Sequence, residues 1–102
     1  MTNPAYFVIE VDIHDPEGMK PYQVRVEETF KAFGGRRIVA GGYSDALEGV
    51  APKGKVVIVQ FPSLEAAHAW HESPDYQAIL FHRQASAESR SYLVEGVELA
   101  AF

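Results

Sequence analysis

The residues from Ala5 to Ile13 sort by a period of two. Phe7, Ile9, Val11 and Ile13 fall on one side; Tyr6, Val8, Glu10 and Asp12 fall on the other. That spacing predicts a strand with one wholly apolar side. The second side is mixed and ends in two carboxylates. The period then changes. Asp15-Pro16-Glu17 reads as a helix start, with a capping carboxylate, a proline suited to the first helical position and an acid at the positive end of the dipole. Met19, Tyr22, Val26, Phe30 and Phe33 follow at three- and four-residue steps as one apolar stripe. Pro21 sits early enough to kink or restart the first turn. Gly34-Gly35 ends the helix.

Arg37 to Tyr43 reads as a second strand, with Gly41 and Gly42 suggesting a bulge or a close backbone approach. Ser44 to Gly49 continues it as an irregular extension, and Ala51-Pro52-Lys53-Gly54 is a turn. Lys55 to Phe61 is a third strand, apolar on both faces except for Gln60. Ser63 caps a helix with Glu65 in its first turn. Ser73-Pro74-Asp75 starts another, which puts Tyr76, Ile79, Leu80 and Arg83 on one face. Arg90 to Val97 is the last strand.

The order strand, helix, strand, strand, helix in two pieces, strand predicts an α+β, ferredoxin-like βαββαβ plan. Its four-stranded antiparallel sheet carries both helices on one face, as right-handed crossovers favour. The other sheet face is then bare. Tyr6, Val8, either Val57 or Ile58, and one side of the last strand would form an apolar patch there. Such a patch marks an interface, and a two-fold homodimer closed face to face is the simplest cover.

Composition narrows the classes. The 102 residues are read as one domain, 47% apolar and 23% charged, a globular profile. So short a chain buries only about 60–65% of its unfolded surface, so association would help it. There is no cysteine, which excludes disulfides and thiolate chemistry. No secretory signal is read at Met1-Thr2-Asn3-Pro4, and no apolar run nears the roughly 20 residues of a membrane span. A cytoplasmic protein is expected. Net charge is −5, and Arg36-Arg37 is the only adjacent basic pair. Nucleic acid, which needs clustered Lys and Arg, is not expected as a partner.

The segments Phe33-Gly34-Gly35-Arg36, Gly41-Gly42, Leu47-Glu48-Gly49, Val57 to Ser63, Ala69-Trp70, Ser73 to Gln77, Arg83 and Val94 to Val97 together resemble the domain-of-unknown-function 1330 family, as does the opening Tyr6 to Asp15. The resemblance covers nearly the whole chain, with motif order and spacing kept. It implies a dimeric α+β barrel. That superfamily also holds small cofactor-free monooxygenases, haem-degrading enzymes, muconolactone-isomerase-like proteins and chlorite dismutases. It implies no one of those activities. Two positions depart from the family pattern. Ala40 stands where Arg often precedes the paired glycines, and Gln60 where Glu often precedes Phe-Pro-Ser. Both remove a charge, either from a cross-strand ion pair or from a site.

Each candidate residue carries two readings. Arg83, on an apolar face, needs an anion. It is either the anchor for a substrate carboxylate or an internal partner of Glu48 or Asp12. Tyr76 either donates to a ligand or satisfies a core hydrogen bond. Trp70 reads first as core. His68 and His71 share a helix side near Asp75, yet no completed ligand set follows, so no metal is expected and solvent-exposed histidines are the reading taken. His82 should point outward. His14 is a general base or part of the strand-to-helix turn, the turn being favoured. Glu10 and Asp12 are acid–base groups with raised pKa or, preferentially, rim partners of Arg36, Arg37 or Arg90 of a second chain. Gly41-Gly42 lacks phosphate-loop spacing.

The expected site thus lies between sheet and helices. It is lined by Tyr22, Phe30, Trp70, Tyr76 and Arg83, with His14, Asp12 and Glu10 as candidate catalytic groups. Its ligand is a small, partly apolar carboxylate, handled without a cofactor by acid–base or oxygen chemistry. A non-catalytic dimerisation or regulatory-accessory domain is the second reading, and haem held by a histidine the third.

Overall fold

The structure, a computed structural model, describes residues 3–98. The central strand β1 (Ala5–Ile13) is followed by α1 (Pro16–Gln23) and α2 (Val26–Lys31), then β2 (Arg36–Ala40) and β3 (Lys55–Phe61). The chain closes with α3 (Leu64–Glu72), α4 (Pro74–Ser86) and β4 (Ala87–Glu95). The strands order as β2-β3-β1-β4, and every neighbouring pair is antiparallel. This is the expected ferredoxin-like α+β architecture.

The period of two in β1 is the sorting rule of the sheet. Ala5, Phe7, Ile9 and Val11 are buried under the helices with Val59 and Phe61 of β3. Registration of Val8 opposite Ile58 and Tyr92 puts those three on the bare face, so Ile58 and not Val57 belongs there. Val39 pairs with Ile58 and extends the row across all four strands.

The predicted caps form. Asp15 accepts from the Gly18 N–H at 3.1 Å, and Ser63 from the Ala66 N–H at 3.0 Å. Ser73 ends α3 and begins α4: its hydroxyl donates to the Trp70 carbonyl at 2.7 Å and accepts from the Tyr76 N–H at 3.3 Å. One residue therefore fixes the angle between the helices that carry Trp70 and Tyr76.

Four boundaries differ from the sequence reading. The first helix is two pieces, because the Arg25 N–H turns to the Tyr22 carbonyl at 3.2 Å and tightens the chain. The apolar stripe runs unbroken through that step and conceals it. β2 stops at Ala40, since Gly41 enters the left-handed region at φ 76°. Its register shift lies between Arg37 and Val39, ahead of the glycines. Residues 42–54 form no strand extension, and Tyr43, Leu47 and Val50 there are exposed. β4 begins at Ala87, directly from α4.

Among the described residues no helix is long and apolar enough to cross a membrane.

Gly54 passes against β1 with φ 78°, and a Cβ there would meet the Val11 carbonyl oxygen. Gly54→Ala should cost about 2–4 kcal/mol through backbone strain and the clash. Gly42→Ala, with open space around it, should stay within about 0.5 kcal/mol. Urea unfolding of the two variants checks the contrast.

Candidate functional site

Between the sheet and α1–α2 lies a cavity of about 290 Å³. Its floor is Phe7, Ile9 and Val11 of β1 with Val57 and Val59 of β3. Its roof is Met19, Tyr22, Val26 and Phe30. Trp70 and Arg83 also line it. Exposed residues, Gln23, Arg37, Ala40 and Lys55, make its rim. The volume falls at the small end of ligand sites, which run from about 300 Å³.

Trp70 is fully buried and builds the wall. Its ring lies 4.9 Å from Phe7, 5.2 Å from Phe61 and 4.2 Å from Tyr76, centroid to centroid. Its indole N–H donates to the Thr29 hydroxyl at 3.0 Å, and that hydroxyl donates to the Val26 carbonyl at 2.6 Å. The indole's only donor is thereby satisfied, as burial requires.

Arg83 is 5% exposed. Neither Glu48 nor Asp12 pairs with it: its contacts among the described residues are with tyrosines. Its Nη2 donates to the Tyr76 hydroxyl at a long 3.4 Å, and its guanidinium carbon stands 5.4 Å from the Tyr22 ring centre. Its Nε is buried without a hydrogen-bond partner. Burial opposes the charge, yet the Tyr76 and Tyr22 oxygens outweigh it and hold the guanidinium's pKa above its usual value. Arg83 is a cation throughout the physiological range.

The Tyr22 and Tyr76 hydroxyls are 3.0 Å apart. Two proton orderings satisfy the trio: Tyr76 accepts from Arg83 and either donates to Tyr22 or accepts from it as well. Tyr22 lines the cavity and Tyr76 does not. Burial, followed by the neighbouring Tyr76, pushes the Tyr22 pKa far up, so Tyr22 remains a phenol. This end of the cavity offers a cation and a phenolic hydroxyl.

The structure thus gathers Tyr22, Phe30, Trp70 and Arg83 around one space and sets Tyr76 behind them. The other candidates lie elsewhere. Glu10 and Asp12 sit on the opposite face of the sheet. Glu10 accepts from its own chain's Arg90 at 2.6 Å and from the Lys53 N–H at 3.3 Å. The His14 backbone N–H donates to the Ser86 carbonyl at 3.0 Å, which closes the turn. His68 is exposed, whereas His71 is half-buried with its ring 5.5 Å from Tyr76, against the expectation of solvent-exposed histidines. His82 is half-buried beside Phe81, their ring centres 3.9 Å apart. Among the described residues no group of three His, Asp or Glu side chains could hold a metal.

Sequence reasoning missed Arg37 and Lys55. Arg37 stacks its guanidinium over Phe30 at 5.4 Å. Lys55 shares the helix-facing side of β3 with Val57 and Val59, a period-two relation that was available. Gln60, where a charge was expected, accepts from Arg36 at 3.3 Å on the bare face, outside the cavity. Ala40 is at the rim.

An antiparallel four-stranded sheet, helices on one face and a cavity between the layers define a ferredoxin-like α+β protein. The chain belongs to the family described as domain of unknown function (DUF1330), whose model matches residues 4–97. A crystal structure of the methylated RPA0582 protein is similar at 21% identity and a TM-score of 0.74, over 97% of this chain and 84% of that one. RPA0582 is a protein of unknown function from Rhodopseudomonas palustris. A dimeric ferredoxin-like protein of unknown function from Thermobifida fusca is similar at 10% identity and a TM-score of 0.62, over 93% and 92% of the two chains. SnoaB, a cofactor-independent oxygenase from Streptomyces nogalater, is similar at 14% identity and a TM-score of 0.59, over 95% and 96%. At these identities the likeness is one of fold. Comparison with curated proteins gives no match.

Burial, and after it the Arg83 charge, holds the His71 pKa below its ordinary value. Above about pH 6.5 histidine is mostly neutral in folded and unfolded chains alike. As pH falls below that point the unfolded chain takes up a proton that the folded one resists, so stability drops until the lowered folded pKa is passed. His71→Gln should show a shallower fall in melting temperature between about pH 7 and 5 than wild type.

Proposed function

We propose that this protein binds a small, partly apolar carboxylate in the cavity between sheet and helices, with Arg83 as its anchor. The carrying observation is the buried guanidinium that no carboxylate among the described residues neutralises. A buried charge without a counter-ion costs several kcal/mol, and an unsatisfied buried donor such as its Nε costs about 1–3 kcal/mol. A ligand carboxylate on Arg83 recovers both, and the Tyr22 hydroxyl is the second donor to it. The apolar floor and roof take the rest of the molecule. An accessory domain without a ligand predicts a filled interior and a paired Arg83; the open cavity and the lone Nε favour binding. The fold is shared with a cofactor-independent oxygenase, and cofactor-free chemistry on the bound acid is the extension of this reading. Glu10, Asp12 and His14 lie outside the cavity and are poorly placed as its base.

The test separates a ligand anchor from a structural ion pair. A carboxylate library is screened by thermal shift. Wild type should be stabilised by some members and Arg83→Met by none. Without ligand, Arg83→Met should cost no more than about 1–2 kcal/mol, the loss of its hydrogen bond to Tyr76, because no carboxylate is left unpaired. Were Arg83 structural, the loss would be about 3–5 kcal/mol. Tyr76→Phe, at a residue that does not line the cavity, should weaken binding about fivefold by removing the hydroxyl that bridges Arg83 and Tyr22. Absence of any stabilising carboxylate, or an equal response from Arg83→Met, sinks the reading.

The bare sheet face supports a homodimer. The row Val39, Ile58, Val8 and Tyr92 crosses all four strands, with Tyr92 57% and Val94 46% exposed. Paired face to face with a second copy, this row adds the core that a short chain lacks. Ile58→Lys should yield monomers in sedimentation equilibrium with the cavity face intact. A monomeric wild type rejects the dimer.

A further inference from the structure

We propose that the ligand is a dianion with an apolar middle, a dicarboxylate in its simplest form, whose second anionic group lies at the rim against Arg37 and Lys55. The inference rests on the carboxylate reading above and specifies its substrate class.

Charge is distributed unevenly around this cavity. The chain has fourteen acidic residues and nine basic ones, yet three basic residues line the cavity and no acidic residue does. The three are set at different depths. Arg83 is buried, whereas Arg37 and Lys55 are exposed. Much of the remaining lining is apolar, Phe7, Ile9, Val57, Val59 and Phe30 among it. A molecule that matches such a cavity has an anion at the buried end, an apolar body and a second anion at the rim.

The two rim cations are free to take that role. Neither enters an ion pair among the described residues, although Lys20, Arg25, Lys31, Lys53 and Arg90 each do. Both are also positioned. The Arg37 guanidinium lies over the Phe30 ring, and Phe30 is cavity roof. The Lys55 stem runs beside Gly41, where a Cβ would come within 3.0 Å of its Cδ. Gly41 has φ 76°, a conformation other residues resist. The glycine that ends β2 thus leaves the space along which Lys55 runs. Arg37 reaches the same side of the sheet because it pairs with Val59, and Lys55 because it pairs with Val11.

Straight-chain dicarboxylates of increasing length, each beside the monocarboxylate of equal length, are titrated calorimetrically into wild type, Arg37→Gln/Lys55→Gln and Arg83→Met. Wild type should prefer the dicarboxylate roughly three- to tenfold, the modest gain expected of solvent-exposed ion pairs. The preference should peak at one length, since the two ends are fixed. The rim double variant should lose that preference and keep monocarboxylate affinity, while Arg83→Met loses both ligands. Equal affinity of wild type for the paired acids overturns the dianion and leaves the single-carboxylate reading standing. Equal weakening of both ligands by the rim double variant means general attraction of anions, and also overturns it. If no acid of either kind binds wild type, both readings fall together.

Discussion

The interior is organised by the need to satisfy one indole. Trp70 meets the floor of the sheet through Phe7 and Phe61, the roof through Thr29, and α4 through Tyr76. Its single donor must find an acceptor when water is excluded. The acceptor is a threonine on the far helical segment, so α2 is tied to α3 across the width of the core. Ser73 then turns the chain within three residues of Trp70 and presents Tyr76 to the same ring. From Tyr76 the helix makes two further turns to Arg83. Trp70 and Arg83 thus line one cavity from consecutive helices joined at Ser73.

That geometry explains which features could be read from the chain alone. β1 and β3 were legible because a half-covered sheet enforces a period of two on one and an apolar run on the other. The caps at Asp15, Ser63 and Ser73 were legible because each is a local bond over three residues. Tyr76 and Arg83 were brought together by helical spacing alone. The division of the first helix was hidden, since its apolar stripe crosses the break at Val24-Arg25 undisturbed. The start of β4 was hidden too: Ala85 to Ser89 holds small and polar residues with no telling period. The rim was the largest omission. Arg37 and Lys55 are charged residues on strands, which alone read as solvated side chains. Lys55 was within reach of the period of two it shares with Val57 and Val59, whereas Arg37 is turned toward the cavity by its pairing with Val59.

The two positions where family charge was expected resolve differently. Gln60 lies on the bare face beside Arg36, away from the cavity, so its neutrality bears on how that face is covered. Ala40 lies at the rim, where an arginine would have added a cation. The cavity keeps two rim cations without it. The carboxylates first suspected of acid–base work, Glu10 and Asp12, face the other side of the sheet. The charged groups that line the cavity are all cations.

The deep end of the cavity keeps a single charge state around neutral pH. Arg83 stays a cation and Tyr22 a phenol. For the acid proposed above, a change of affinity with pH would then follow the ligand's own ionisation and not the protein's. A carboxylate answers the guanidinium's charge, and its neutral acid does not.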